Sequence, residues 1–348
     1  MQFYIGVDFH PHQQTVAWCD LQTGEIKTRQ LEHNTPAVKA FYEAAPKAIV
    51  GIEASSKAVW FEALLSDIGH QLLVGNSVAI RARARSRHKS DKRDAELLLD
   101  LLIKNEFPTL WRRSENSQQV LDVLQLRNRF VRQRTQTYNR LQALAHSCGL
   151  PKGHVKNLVF QTALKACEVN QVQDLLRSQL FSLLDQLDKQ IGELETLLKK
   201  KAEADANVQL LQTQKGVGYL TALAVVHTLC DVERFPRLSK QVVAFAGLDP
   251  LEKSSAGKIK FGGISKQGSW LLRFLLGQAA HLAARHDGKL KSFYKKLAKK
   301  KAKSVAKTAV ARKLLVKLAI MLRDQISADE FDERGRTVGN ARKSQGLK

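Results

Sequence analysis

An α/β domain followed by an all-α remainder is the fold class this sequence predicts, and three observations carry it. Short apolar runs alternate with helical stretches over the first hundred residues, a leucine heptad seam follows, and the last third reads as helices broken by glycine turns. Residues 2–8 (QFYIGVD), 13–20 (QQTVAWCD) and 25–31 (EIKTRQL) read as strands, the latter two joined through the Thr23-Gly24 turn. Pro36 suits the first turn of a helix over 35–45. The unbroken apolar run 47–53 (KAIVGIE) reads as a buried strand ending in Glu53. A helix near 56–67, a strand near 70–75 and a helix opened by Asp91 complete an α/β domain with a mixed sheet.

The region from about 115 to 203 is helical, with Pro151-Lys152-Gly153 marking a break inside it. Leu180, Leu184, Leu187, Ile191, Leu194 and Leu198 follow 4-3-4-3-4 spacing, a heptad seam. An antiparallel hairpin within one chain is favoured over an intermolecular coiled coil. From about 207 the pattern becomes helix, glycine turn, helix, then a Gly/Ser/Lys-rich loop running into an apolar helix on which Trp270 and Phe274 are expected to pack into the core. The expected divisions are 1–110, 111–205, 206–326 and a polar, disordered tail over 327–348.

A formal net charge of +23 and a pI near 10.0 point to a polyanionic partner, of which nucleic acid is the usual one. Between 289 and 317 there are 12 Lys/Arg and no acidic residue, which favours contact with DNA or RNA over a solvated face. No run approaches the roughly 20 apolar residues that span a bilayer, and the first residues lack the pattern of a signal peptide. Cys19, Cys148, Cys167 and Cys230 have neither disulfide-framework nor zinc-ligand spacing, so a reducing cytoplasm is the expected setting.

Against this basic background four carboxylates stand at element ends. Asp8 and Glu53 close apolar strands, and Asp91 and Asp94, three apart, share one helical face. Carboxylates from two strand ends and one helix assemble a ribonuclease-H-like site, where two Mg²⁺ ions about 4 Å apart neutralise a phosphodiester and help activate the attacking oxygen. Four clustered carboxylates also need cations for their own stability. Taken singly, each suits a cap or a surface charge, Asp91 being a possible helix cap. Arg81, Arg83, Arg85, Arg87, Lys89, Lys92 and Arg93 crowd the approach to Asp91 and read as phosphate-backbone contacts. His10 and His12, flanking Pro11, read as polar loop histidines rather than as a metal pair.

Six segments, GVDFHPHQQTVAW, VGIEAS, HKSDKRDAELL, GVGYLTA, AFAGLDPLEKSSAGK and GGISKQGSWLLRFLL, resemble the DEDD transposases of insertion sequences. These are the bridge-RNA-guided serine recombinases, with Piv-type DNA invertases as relatives, and the likeness runs from about residue 3 to 325. The resemblance implies a RuvC-like N-terminal domain with Asp8, Glu53, Asp91 and Asp94 as Mg²⁺ ligands, holding two ions per site. It implies a coiled-coil dimerisation region and a C-terminal transposase domain whose serine attacks DNA to form a phosphoserine linkage. Homodimers or homotetramers would act on double-stranded DNA under the direction of a noncoding guide RNA, with no membrane involved.

By the family's spacing from Pro250 the nucleophile is Ser255, with Ser254 as the alternative because Ala256 stands where glycine is commoner. Lys253, Lys258, Lys260 and Lys266 surround this loop. Lys215, Gly216 and Gly218 resemble the hairpin of helix-hairpin-helix DNA binders, where glycines let backbone N–H groups approach a phosphate. A RuvC-like hydrolytic nuclease or resolvase and a non-catalytic basic nucleic-acid-binding protein are the rival readings.

Overall fold

The structure, a computed structural model, describes all residues except Met1, 21–22, 56–57, 84–89, 151–152, 253–260 and 336–348. It falls into two units, Met1–Arg112 and Arg113–Lys348. In the first, strands β1 (Phe3–Phe9), β2 (Gln13–Cys19), β3 (Ile26–Glu32), β4 (Ala48–Glu53) and β5 (Gln71–Gly75) form one sheet in the order β3-β2-β1-β4-β5. β1 and β4 pair in parallel, as do β4 and β5, while the β1-β2 and β2-β3 pairs are antiparallel. The unit is therefore mixed α/β, compatible with a RuvC-like domain, and its strands fall within a residue or so of those read from the sequence.

Strand alternation sends successive side chains to opposite faces of this sheet. Ile5, Val7, Val50, Ile52 and Val74 point to one face, where they pack with Tyr42 of helix α1 (Ala37–Ala44) and Phe61 and Leu65 of α2 (Val59–Ile68). The opposite face is paved with small residues. Ala17 packs there against Ala95 and Leu99 of α4 (Asp91–Ile103). A Cβ on Gly6 would stand 2.3 Å from the Ala95 carbonyl oxygen and 2.4 Å from the Leu99 nitrogen. Those distances are below van der Waals contact, so only glycine lets the α4 backbone lie this close to β1. A short helix not read from the sequence, α3 (Ser77–Arg81), lies between β5 and α4; Asn76 caps it by accepting from the Val78 and Ala79 N–H groups.

In the second unit, α5 (Glu115–Ser147) and α7 (Gln171–Glu203) pack as a long hairpin within one chain, with α6 (Leu158–Ala166) between them in sequence. The heptad reading holds at Leu184, Leu187, Ile191 and Leu198, which are buried. Arg127 Nε donates to Glu195 Oε1 at 3.0 Å and Arg134 Nη1 to Asp188 Oδ1 at 2.7 Å, so part of the arginine richness of α5 binds its own partner helix. Leu198 of α7 and Leu124 of α5 share one core with α8 (Ala206–Gln212), α9 (Tyr219–Leu229), α10 (Leu238–Phe245), α11 (Trp270–His286) and α13 (Lys303–Asp324). Helix α12 (Gly288–Ala298) covers one edge through Leu290.

Three expectations are corrected here. Trp270 and Phe274 are 42% and 44% exposed rather than core residues; they occupy the outer side of α11, while Leu271, Leu272, Leu275 and Leu276 fill the inner side. The stretch taken as a disordered tail is helical over 328–335, anchored by buried Ala328 and by Asp332, which accepts from Lys289. Its remainder, 336–348, lies outside the described residues. Finally, two strands flank the serine loop where only loop was read: β6 (Pro250–Glu252) and β7 (Phe261–Ile264) pair antiparallel. At three and four residues they are too short to leave a periodic signal.

Candidate active site

Asp8 and Gly6 are two apart on β1, so both side-chain positions face α4. The register Val7↔Ile52 puts Asp8 level with Glu53 on the adjacent parallel strand. The close approach permitted at Gly6 brings the first turn of α4, with Asp91 and Asp94, to the same sheet edge. Ser90, not Asp91, is the N-cap: its side chain accepts from the Arg93 N–H, leaving both aspartates inside the first turn, where the helix dipole favours negative charge.

The tightest group holds Asp8, His10 and Asp91, whose ligating atoms all lie within 4.8 Å of one another. His10 Nε2 is 3.1 Å from Asp8 Oδ2 and 3.7 Å from Asp91 Oδ1. The Asp8 side chain is 16% exposed against 48% for Asp91, so Asp8 forms the floor and Asp91 the rim. Burial pushes the Asp8 carboxyl above its ordinary value; His10 draws it down, and the charges of Asp94 and Asp91 push it up again. Carboxylates that repel in this way are stabilised by a cation between them. Two carboxylates and an imidazole with convergent donor atoms suit a divalent ion. Glu53 stands outside this tight group, its Oε1 3.5 Å from Arg81 Nη2, and Asp94 joins it through its charge rather than as a member.

His10 is the residue that sequence reasoning set aside. Its backbone N–H donates to Gln13 O at 2.9 Å, which closes the β1-β2 turn, and its ring lies beside Asp8. The available signal was its place two residues after a strand-end aspartate. An aromatic cluster lies behind the same edge: the rings of Phe9 and His33 are 4.8 Å apart and those of His33 and Trp60 4.9 Å.

Of the basic residues, Arg81 meets Glu53, Arg83 Nη1 donates to Ala79 O at 3.0 Å, Lys92 lies 3.9 Å from Glu96, and Arg93 is exposed. Arg85, Arg87 and Lys89 lie outside the described residues, as do Ser254, Ser255, Lys253, Lys258 and Lys260. Lys266 follows β7, exposed and with a φ of 57°, its N–H donating to Gly247 O. In the glycine turn Lys215 is exposed, and Gly218 starts α9 as its N-cap. Gly216 has a φ of +93°, and a Cβ there would come within 2.6 Å of the Ala283 nitrogen on α11, so this glycine is already required by packing. Among the twelve cations of 289–317, Lys295, Lys296, Lys299, Lys300 and Lys301 are exposed, but Lys317 is buried between Asp287 and Asp332 at 3.7 and 3.3 Å.

Residues 5–148 match a family model for DEDD transposases of the IS110 type, described as "Transposase", and residues 208–295 match the model "Transposase IS116/IS110/IS902 family". Similar proteins include the "Transposase for insertion sequence element IS1111A" of Coxiella burnetii, 32% identical over 57% of this chain and 56% of that protein. The "Probable family 20 transposase" of Pseudomonas aeruginosa is 27% identical over 81% of this chain and 84% of its own length. The "Transposase for insertion sequence element IS1328" of Yersinia enterocolitica is 27% identical over 80% of this chain and 83% of its own. The chain thus spans just over half the length of the first relative and more than four fifths of the other two. With two transposase models matched in separate stretches and the acidic edge falling inside the first of them, the chain is identified as a transposase, similar over both stretches to the IS110/IS116 family of DEDD transposases.

Proposed function

We propose that this transposase is an RNA-guided DNA recombinase that cuts, exchanges and religates strands through a covalent phosphoserine. The convergence of Asp8, His10 and Asp91, with Glu53 level on the next strand, is the observation that carries the reading. Divalent ions bound there, two Mg²⁺ in the family's pattern, would neutralise phosphate charge and polarise the attacked phosphodiester. Asp8, Glu53, Asp91 and Asp94 would hold the ions. Arg83, Lys92 and Arg93, with the undescribed Arg85, Arg87 and Lys89, would neutralise neighbouring phosphates.

In the chemical step the Ser255 Oγ attacks phosphorus and loses its proton as the Oγ–P bond forms. One bridging P–O bond breaks, and its oxygen leaves as a DNA hydroxyl. Religation is the reverse: a DNA hydroxyl attacks the phosphoserine phosphorus, and Ser255 regains its proton. The bond energy stays in the linkage, so no nucleotide hydrolysis is required, in keeping with a sequence that has no GxxxxGK[ST]. Resemblance supports placing Ser255 of one subunit against the acidic edge of another. Assembly into dimers or tetramers is supported by Leu158, Val159, Val172, Leu175 and Leu176, apolar yet 55–78% exposed on α6 and the first turns of α7. Double-stranded DNA and a guide RNA are the proposed partners, the exposed lysines of 295–301 supporting polyanion contact.

End-labelled element DNA, incubated with the protein, the element's noncoding RNA and Mg²⁺, tests this. A denaturation-resistant protein–DNA adduct is expected, lost in Ser255→Ala and in Asp8→Asn and dependent on the RNA. Retained metal-dependent nicking by Ser255→Ala, with no adduct in the unaltered protein, would establish the hydrolytic nuclease. An adduct lost only in Ser254→Ala would move the nucleophile by one residue. No adduct and no nicking by the unaltered protein, with DNA binding unchanged in Asp8→Asn, would leave only a nucleic-acid-binding role.

A further inference from the structure

The four-carboxylate pattern describes an all-oxygen metal site, but this chain adds a nitrogen. His10 Nε2 lies 3.1 Å from Asp8 Oδ2 and 3.7 Å from Asp91 Oδ1. Ligands at about 2.1 Å from an octahedral ion stand about 3 Å apart when adjacent and about 4.2 Å apart when opposed. Both His10 distances fall in that interval, and no other histidine joins Asp8 in a donor group among the described residues. Glu53, the carboxylate level with Asp8, meets Arg81 and stands outside the donor group that Asp8 forms with His10 and Asp91.

We propose that His10 is a direct ligand of the ion held by Asp8 and Asp91. The centre is therefore a mixed oxygen–nitrogen site that takes a first-row transition ion of the Mn²⁺ kind in preference to Mg²⁺. The inference rests on the metal-dependent reading above and deepens it. The physical reason is ligand type: Mg²⁺ dehydrates reluctantly and binds through oxygen, whereas transition ions accept imidazole readily. Mn²⁺ accepts carboxylate oxygen as well, so it is the probe that uses all three donors. The turn supports the role, because the His10 N–H to Gln13 O hydrogen bond fixes the main chain from which the ring reaches Asp8.

Mn²⁺ binding to the full-length protein, read by pulsed electron paramagnetic resonance and by titration calorimetry against Mg²⁺, tests the proposal. The expected result is a ¹⁴N coupling to bound Mn²⁺ that persists in His12→Ala and disappears in His10→Ala. Mn²⁺ affinity should fall roughly tenfold or more in His10→Ala while Mg²⁺ affinity changes little, erasing the preference. Mn²⁺ bound in an Asp8-dependent way without ¹⁴N coupling overturns the ligand role of His10 and leaves the metal reading standing. Coupling that persists in His10→Ala overturns it equally. Absence of any Mn²⁺ binding that Asp8→Asn removes overturns both the inference and the metal-dependent reading on which it rests.

Discussion

Gly6 and Asp8 face the same helix from the same strand, and the first sets the surroundings of the second. A Cβ on Gly6 would come within 2.3 Å of the Ala95 carbonyl oxygen, one turn along α4 from Asp91. The missing side chain lets α4 settle on the sheet, and that seating brings the aspartates of its first turn to Asp8.

Gly6→Ala is accordingly expected to destabilise the protein by about 1–3 kcal/mol, since the obstructing atoms are backbone and cannot rotate away. Urea unfolding checks this. A companion change has the opposite sign: Gly192→Ala, inside α7 with nothing within 4 Å of the added Cβ, should stabilise by up to about 1 kcal/mol.

The glycine turn separates a packing role from a phosphate role. Gly216→Ala, at a φ of +93° and 2.6 Å from the Ala283 nitrogen, should lower stability by at least about 1 kcal/mol. Gly218→Ala, at a φ of −90° with open space around the Cβ, should cost no more than about 1 kcal/mol. If this turn approaches a phosphate, Gly218→Ala will weaken DNA binding while leaving the melting temperature nearly unchanged. A filter-binding titration beside a melting curve distinguishes the two roles.

Asp287 anchors the C-terminal helices and gives them a pH dependence. Burial pushes its carboxyl up, but the Leu290 N–H, the Gln214 amide and Lys317 together hold it below its ordinary 3.8. A depressed folded value means that this stabilisation is present above the unfolded value and is lost as pH falls from about 3.8 through the folded one. Asp287→Asn should leave the buried Lys317 with Asp332 alone, costing about 3–5 kcal/mol, and should flatten the acid limb of the stability profile. Lys317→Met in that background is expected to recover part of the loss, because the uncompensated buried cation is removed.

The N-terminal unit was legible because its signals are local. Alternating and continuous apolar runs marked β1, β2 and β4, and the strand-end positions of Asp8 and Glu53 followed from where those runs stop. The leucine seam of α7 was legible for the same reason, since a heptad repeat is a property of one helix. Where competing roles exist for one residue type, the sequence misled. Trp270 and Phe274 carry apolar bulk, yet the inner side of α11 is already filled by Leu271, Leu272, Leu275 and Leu276, so both rings face outward. Lys317 sits in a run of cations and looks solvated, yet Asp287 and Asp332, 30 residues before and 15 after it, give it buried partners.

The strands of the N-terminal unit, the long helices and their order were legible in the sequence alone, because backbone propensity, side-chain periodicity and capping act over a few residues. Which atoms meet was decided only by the tertiary structure. His10 joined the acidic group, Glu53 turned to Arg81, and Gly216 was committed to α11, each through contacts made by distant or differently paired stretches. Charge and coordination act through space at a few ångströms, and that distance is set by strand register and by how closely a helix can lie on a sheet.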